Sequence, residues 1–207
     1  LSGLIETVAD KVVLDSQAAI IDQNDGLPDP LNIHATSLDL NAVTGIGIGD
    51  TLEISIDTFS ADTTDGDILL HNTASTAVAA TSITTGTGNI ELTQVGNESL
   101  TIDLTTTQDG TIIVSNTGDA QTDILTLTSI TAGGATPEIH VSTLNFGNIL
   151  LGDLAALDGV ISVTSAGEIN DAVDDQGAPE VDLNAASGSI TLQAINGIGN
   201  NNRVELS

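Results

Sequence analysis

"TGNIELTQ" at residues 87–94 and "DGTIIVSN" at residues 109–116 carry one pattern twice, 22 residues apart. In both, a turn containing glycine precedes alternating apolar and polar side chains, as expected for a β-strand with one buried face. The same pattern recurs as "DKVVLDS" (10–16), "TSLDLNA" (36–42), "DGDILLHN" (65–72), "TPEIHVST" (136–143), "DGVISVTS" (158–165) and "SGSITLQA" (187–194). Repetition is the strongest signal in this sequence.

The spacing of these segments indicates the fold class. Their first apolar residues are Val12, Leu38, Ile68, Ile90, Ile112, Ile139, Ile161 and Ile190, at steps of 26, 30, 22, 22, 27, 22 and 29 residues. A step that returns to 22 and otherwise only grows is typical of a solenoid with loops inserted between coils. Further strand patterns lie between them, at 31–35, 52–56, 100–104, 124–128, 181–185 and 203–206. We predict an all-β fold: a right-handed parallel β-helix of about eight coils of 22–30 residues.

Composition agrees with a folded, aliphatic interior. The chain is 40% hydrophobic yet has two Phe, no Trp and no Tyr, and stacked aliphatic side chains need no polar partner. The formal net charge of -27 argues against nucleic acid as a partner, because a phosphate backbone would be repelled. No run of 18 apolar residues occurs, so membrane insertion is not expected.

A longer period lies above the coil. Residues 1–55 resemble residues 150–207; for example, "LPDPLNIHATSLDLNAVTGIG" aligns with "APEVDLNAASGSITLQAINGIG". The whole chain, 1–207, is therefore predicted to be one continuous solenoid segment built on a unit of about 150 residues. The first residue is Leu, and we expect a slice of a tandem array or a subunit whose ends stack on neighbours.

The stretches "SAGEINDAVDD", "VDLNAASGSITLQAINGIG" and "LEISIDTFSADTTDGDILLHN" resemble the repeats of giant bacterial cell-surface proteins of the filamentous-haemagglutinin-like or β-strand-repeat kind. The resemblance covers essentially the whole chain. It implies a right-handed parallel β-helix displayed outside the cell in an adhesive, matrix-forming or filamentous role. It implies no active-site residue, because the family pattern has none to match.

Two acidic loops are candidate metal sites. The first offers Asp22, Asn24, Asp25 and Asp29, and its counterpart in the second copy offers Asp171, Asp174, Asp175 and Asp182. Calcium prefers several oxygen ligands on a flexible loop. Neither loop matches an EF-hand or a calcium-binding β-roll, and Asp, Asn, Gly and Pro also form plain solvated turns. The sequence leaves both readings open, so Ca²⁺ is a candidate ligand and no cofactor is required.

Catalysis is not expected. Polysaccharide-cleaving β-helices pair carboxylates with cations in a cleft, whereas here Lys11 and Arg203 are the only Lys and Arg and lie near opposite ends of the sequence. Alternation points His34, His71 and His140 outward in different coils, which argues against a shared zinc. We predict no enzyme and no catalytic residues.

The expected function is structural. The chain would be a non-catalytic repeat segment of an extracellular or cell-surface filament or matrix protein, with neighbouring repeats or subunits as partners stacked end to end. The alternative is an adhesin passenger region that binds a host or glycan ligand and is stabilised by calcium. Extracellular matrix or glycan would then be a further partner.

Overall fold

A computed structural model describes residues 1–7, 10–23, 29–96, 98–118, 122–173 and 181–207. These residues form a parallel β-solenoid of about seven turns and contain no helix, which confirms the predicted fold class. The strands are β1 (Ile5–Glu6), β2 (Lys11–Ser16), β3 (Ile33–Ala42), β4 (Leu52–Thr63), β5 (Ile68–Asn72), β6 (Val78–Thr87), β7 (Ile90–Val95), β8 (Leu100–Asp109), β9 (Thr111–Gly118), β10 (Ile124–Ala132), β11 (Glu138–Asn145), β12 (Asn148–Ala155), β13 (Val160–Ser165), β14 (Glu168–Asp171), β15 (Leu183–Asn184), β16 (Ser189–Ala194) and β17 (Gly197–Ile198).

One ladder of paired residues consists entirely of isoleucine. Its eight members, each one turn of the solenoid from the next, are Ile20, Ile46, Ile68, Ile90, Ile112, Ile139, Ile161 and Ile190. The first seven are buried, and the last is partly buried against the same core. Because adjacent parallel strands lie about 4.8 Å apart, identical branched side chains stack in contact along the axis. One coil alone could not shelter this apolar edge, so stacking of coils is what stabilises the fold.

One step of the predicted register is wrong. The sequence spacing linked Leu38 directly to Ile68, but Leu38 pairs with Phe59 of β4, and Ile68 pairs with Ile46. Each coil has several inward-facing segments, and spacing along the sequence does not distinguish the ladder of one segment from the ladder of another.

Strand lengths also differ from the sequence expectation. The segments 31–35 and 36–42 merge into the single strand β3, while residues 203–206 contribute only one bridge, between Leu183 and Leu206. The strands β6 and β12 were not among the predicted segments. In β8 the buried positions change parity between Ile102 and Thr105, which is how a long strand can turn a corner and keep one side facing in.

Stacked glycines form one corner of the solenoid. A Cβ on Gly88 would lie 2.5 Å from the carbonyl oxygen of Gly66, and a Cβ on Gly66 would lie 2.3 Å from that of Thr44. Both glycines also have positive φ, 144° and 91°. The corner therefore requires glycine both for its backbone conformation and for the close approach of successive coils.

The two similar ends of the chain occupy different ladders. Val12 pairs with Leu38, in the ladder that continues to Phe59, whereas its counterpart Ile161 lies in the isoleucine ladder. The offset of about 150 residues is therefore not a whole number of coils.

Within the described ranges there is no helix of the length and hydropathy that a membrane crossing would need.

Candidate functional site: two carboxylate clusters

The structure gathers Asp22, Asp29 and Glu53 into a first carboxylate cluster. One oxygen from each of the three side chains lies within 4.8 Å of the others. Asp22 follows the bridge residue Ile20, Asp29 precedes β3, and Glu53 is the second residue of β4. The cluster therefore joins two residues that precede β3 to a strand of the next coil.

Asn32 is the buried support of the first cluster. Its side chain is fully buried and donates a hydrogen bond from Nδ2 to Asp22 Oδ1 at 2.7 Å. Its Oδ1 accepts a hydrogen bond from the backbone N–H of Glu53 at 2.8 Å. Both ends of the amide are thus used, and Asp22 is held beside the start of β4.

Glu53 is the most perturbed acid of the first cluster. Its exposed fraction is 6%, and burial is the main reason that its pKa is raised to about 7. The negative charge of Asp29 and a hydrogen bond with Asp22 raise the pKa further. Placing a carboxylate next to others out of water disfavours its charged form. Glu53 therefore takes up a proton more readily than an exposed Glu does.

A second carboxylate cluster consists of Asp171, Asp182 and Glu205, whose oxygens also approach within 4.8 Å. Asp171 ends β14, Asp182 precedes β15, and Glu205 precedes the bridge residue Leu206. Asp171 and Asp182 have exposed fractions of 5% and 6%. Burial, followed by the charges of Asp171 and Glu205, raises the pKa of Asp182 to about 6, although the Glu205 N–H partly opposes the shift.

The two clusters share one backbone scaffold. The N–H of Asn32 donates to Glu53 O at 2.9 Å, and the N–H of Asp182 donates to Glu205 O at 3.1 Å. The Glu205 N–H donates to Asp182 Oδ2 at 2.8 Å, matching the bond from Glu53 to Asn32. In the alignment of the two ends, Asp22 corresponds to Asp171, Asn32 to Asp182 and Glu53 to Glu205. The clusters therefore occupy equivalent positions in the two similar ends of the chain.

The clusters differ in composition. Asn32 is an amide, whereas its counterpart Asp182 is an acid, and the first cluster takes its third carboxylate from the exposed Asp29. The second cluster has a cation beside it, since Arg203 Nε lies 2.5 Å from Glu205 Oε1. The charges that act on Glu53 are those of Asp29 and Asp22, both negative.

The structure brings together Asp22 and Asp29 of the first predicted loop, and Asp171 and Asp182 of the second. The predicted ligands Asn24, Asp25, Asp174 and Asp175 lie outside the described residues.

Glu53 and Glu205 were missed from the sequence. Alternation with Leu52, Ile54 and Ile56 places Glu53 on the outer side of its strand, but in the fold it is covered and buried. The signal that could have found them is the alignment of the two ends, which pairs these two acids.

Three further contacts between basic and acidic side chains of the described residues lie away from the clusters. Lys11 Nζ lies 3.1 Å from Asp39 Oδ2, and the Ser60 hydroxyl together with Lys11 holds the pKa of Asp39 below its usual value. His34 faces Glu6 and His140 faces Glu138, on different coils. Within the described ranges, the two carboxylate clusters are the groups with ligand atoms close enough to hold a metal ion.

Comparison with protein-family models, with curated proteins and with solved structures gives no match to this chain.

Proposed function

We propose that this chain is a non-catalytic structural segment of an extracellular or cell-surface filament or matrix protein, which assembles by end-to-end stacking of coils. The observation that carries the proposal is the continuity of the parallel ladders, from β2 at one end to β16 at the other. Hydrogen bonds of such a ladder run along the rod axis, so the whole stack resists pulling in that direction.

The outer strands support stacking on a neighbour. Val12 and Leu14 of β2, and Ile190 and Leu192 of β16, continue the inner aliphatic columns but are only partly buried. In the described part of the chain, each of these strands has one partner strand, β3 and β13 respectively. An open edge with apolar side chains is a template for a further strand. The proposed occupant is another repeat or another copy.

The test is electron microscopy and fibre diffraction of the purified chain over a range of concentrations, in calcium chelator. Seven turns correspond to a rod of about 35 Å, so assembly should give uniform rods many times longer, with an axial spacing of about 4.8 Å. Leu192→Asp should shorten the rods, because it puts a charge in an apolar column at the open edge. Thr191→Asp, on the exposed side of the same strand, is the matched control. Isolated monomers at every concentration would contradict the proposal.

A glycan-binding adhesin segment is the second candidate function, and one surface groove favours it. Asn145, Asn148, Glu168 and Asn196 line a groove of about 420 Å³ beside Phe146, which is 44% exposed. Amides and a carboxylate beside an aromatic ring are suitable contacts for a sugar.

A glycan array separates the two functions. Selective binding that is lost in Phe146→Ala and kept in Leu157→Ala, another exposed apolar residue, would favour the adhesin. Absence of selective binding would favour the structural segment.

A further inference from the structure

We propose that both carboxylate clusters are calcium sites, one held by Asp22, Asp29 and Glu53 and the other by Asp171, Asp182 and Glu205. This inference does not depend on filament assembly, because it concerns ion binding within a single chain.

The distances fit a cation of this size. Calcium binds oxygen ligands at about 2.3–2.6 Å, so two oxygens on one ion are at most about 5 Å apart. In each cluster the three carboxylate oxygens already lie within 4.8 Å of one another. Backbone oxygens and water can complete the coordination, as they commonly do for calcium.

Buried acceptors without a donor point to a missing positive partner. Glu53 has an exposed fraction of only 6%. Its Oε2 is buried and has no hydrogen-bond partner. Oε2 of Glu205, in the second cluster, is likewise buried without a hydrogen-bond partner. Leaving such an oxygen unsatisfied is costly, and a bound cation would compensate it.

Recurrence is an independent observation. The scaffold hydrogen bonds of the first cluster are repeated in the second, although the loops between their ligands differ in sequence. A solvated turn does not require that an acid with a buried, unpartnered oxygen be placed at the same point of the two similar ends of the chain. Glu53 and Glu205 nevertheless both occupy that point.

The burial of the clusters favours calcium over magnesium. Magnesium keeps several of its waters and requires a near-octahedral shell, whereas calcium accepts protein oxygens in irregular arrangements. Asp22 and Glu53 are both more than nine-tenths buried, so a fully hydrated ion has little room between them. Each bound ion would tie residues flanking an inserted loop to a strand of the neighbouring coil.

The test is isothermal titration calorimetry of the chelator-treated chain with CaCl₂. About 0.15 M NaCl screens the diffuse attraction of cations to the acidic surface. We expect two equivalents of Ca²⁺ to bind, with MgCl₂ at least about tenfold weaker. Glu53→Gln should abolish one equivalent and Asp182→Asn the other. Glu91→Gln and Asp103→Asn, exposed residues with the same chemical change, should leave both equivalents intact.

Asn32→Asp is a further variant, and the gain of affinity expected from it cannot be mistaken for a failure to fold. It gives the first cluster the acid found in the second, so its affinity for calcium should rise by about tenfold or more. No saturable binding by the unaltered chain would overturn the proposal. Binding that Glu53→Gln and Asp182→Asn reduce no more than their controls would overturn it as well, because a proton shared among the acids would then explain the clusters.

Discussion

The first carboxylate cluster holds a neutral amide, Asn32, where the second holds an acid, Asp182. Both side chains accept the same backbone hydrogen bond, from Glu53 in one case and from Glu205 in the other. The fold therefore needs an acceptor at this position and not a charge. Three carboxylates nevertheless meet in each cluster, and this concentration of negative charge is the part of the site that requires a functional explanation.

The two clusters balance their charge differently. In the first, Asn32 donates a hydrogen bond to Asp22, so one acid is held by a neutral group. In the second, no amide stands at that position, and Arg203 contacts Glu205 from the exposed side. The comparison teaches that one backbone scaffold tolerates two charge arrangements, and substitutions can interchange them.

The largest expected effect comes from deleting the shared acceptor. In chelator, Asn32→Ala should cost about 3 kcal/mol, because it leaves both the Glu53 N–H and Asp22 without their buried partner. For a chain of this size that is a fall in Tm of about 6–12 °C. Asp182→Ala should cost only about 1 kcal/mol, since losing the acceptor is offset by relief of repulsion with Asp171 and Glu205. Thermal unfolding followed by circular dichroism measures both.

Asp103→Ala, at an exposed position, is the control for this pair and should leave Tm nearly unchanged. Equal losses for Asn32→Ala and Asp182→Ala would contradict the view that the second cluster is held under repulsion.

A smaller effect separates the clusters by pH. The pKa of Glu53 is raised from 4.5 to about 7 and that of Asp182 from 3.8 to about 6. A raised folded-state pKa means that the folded chain binds the proton more tightly than the unfolded chain. The stability it adds is therefore greatest at low pH and is lost as pH rises through the folded-state pKa.

In chelator, the loss of stability between pH 6 and 7 should therefore come mainly from Glu53 and not from Asp182. Glu53 faces Asp22 and Asp29, whereas Asp182 faces Asp171 and Glu205. Glu53→Gln should flatten the decline of Tm over this interval, whereas Asp182→Asn should leave it in place. Identical slopes for the two variants would refute the assignment.

The smallest effect tests the cation of the second cluster. Arg203→Gln should lower stability in chelator by less than about 1 kcal/mol, because the Arg203 side chain is 80% exposed and such pairs are well screened. Removing a positive charge near the ligands should also strengthen calcium binding at the second cluster a few-fold, as measured by titration. Lys11→Gln, which breaks the exposed pair with Asp39, should leave calcium binding unchanged. An equal gain in both variants would show that only the net charge of the chain matters.

The fold could be read from the sequence because the repeated strands are locally regular. Ile68, Ile90, Ile112, Ile139, Ile161 and Ile190 follow one ladder at steps of 22 residues or somewhat more, and period-2 alternation gives their inward direction. The step from Leu38 failed because spacing alone does not distinguish one side of a coil from another.

The sequence predicted four of the six acids in the two clusters. Acid-rich loops revealed Asp22, Asp29, Asp171 and Asp182, but alternation places Glu53 in solvent. Its burial depends on residues about 20 or more positions away in sequence, which fold against the start of β4. Such long-range cover is a property of the stacked coils and has no local sequence signature.

The fractional offset between the two copies has a geometric consequence for any longer rod. If the unit of about 150 residues continues, each new copy starts at a different angle around the axis, as Val12 and Ile161 do here. Equivalent acid pockets would then wind around the rod as a screw and not line one side. A fibre of this kind would carry no single ion-binding flank, and calcium would stiffen it evenly against bending in every direction.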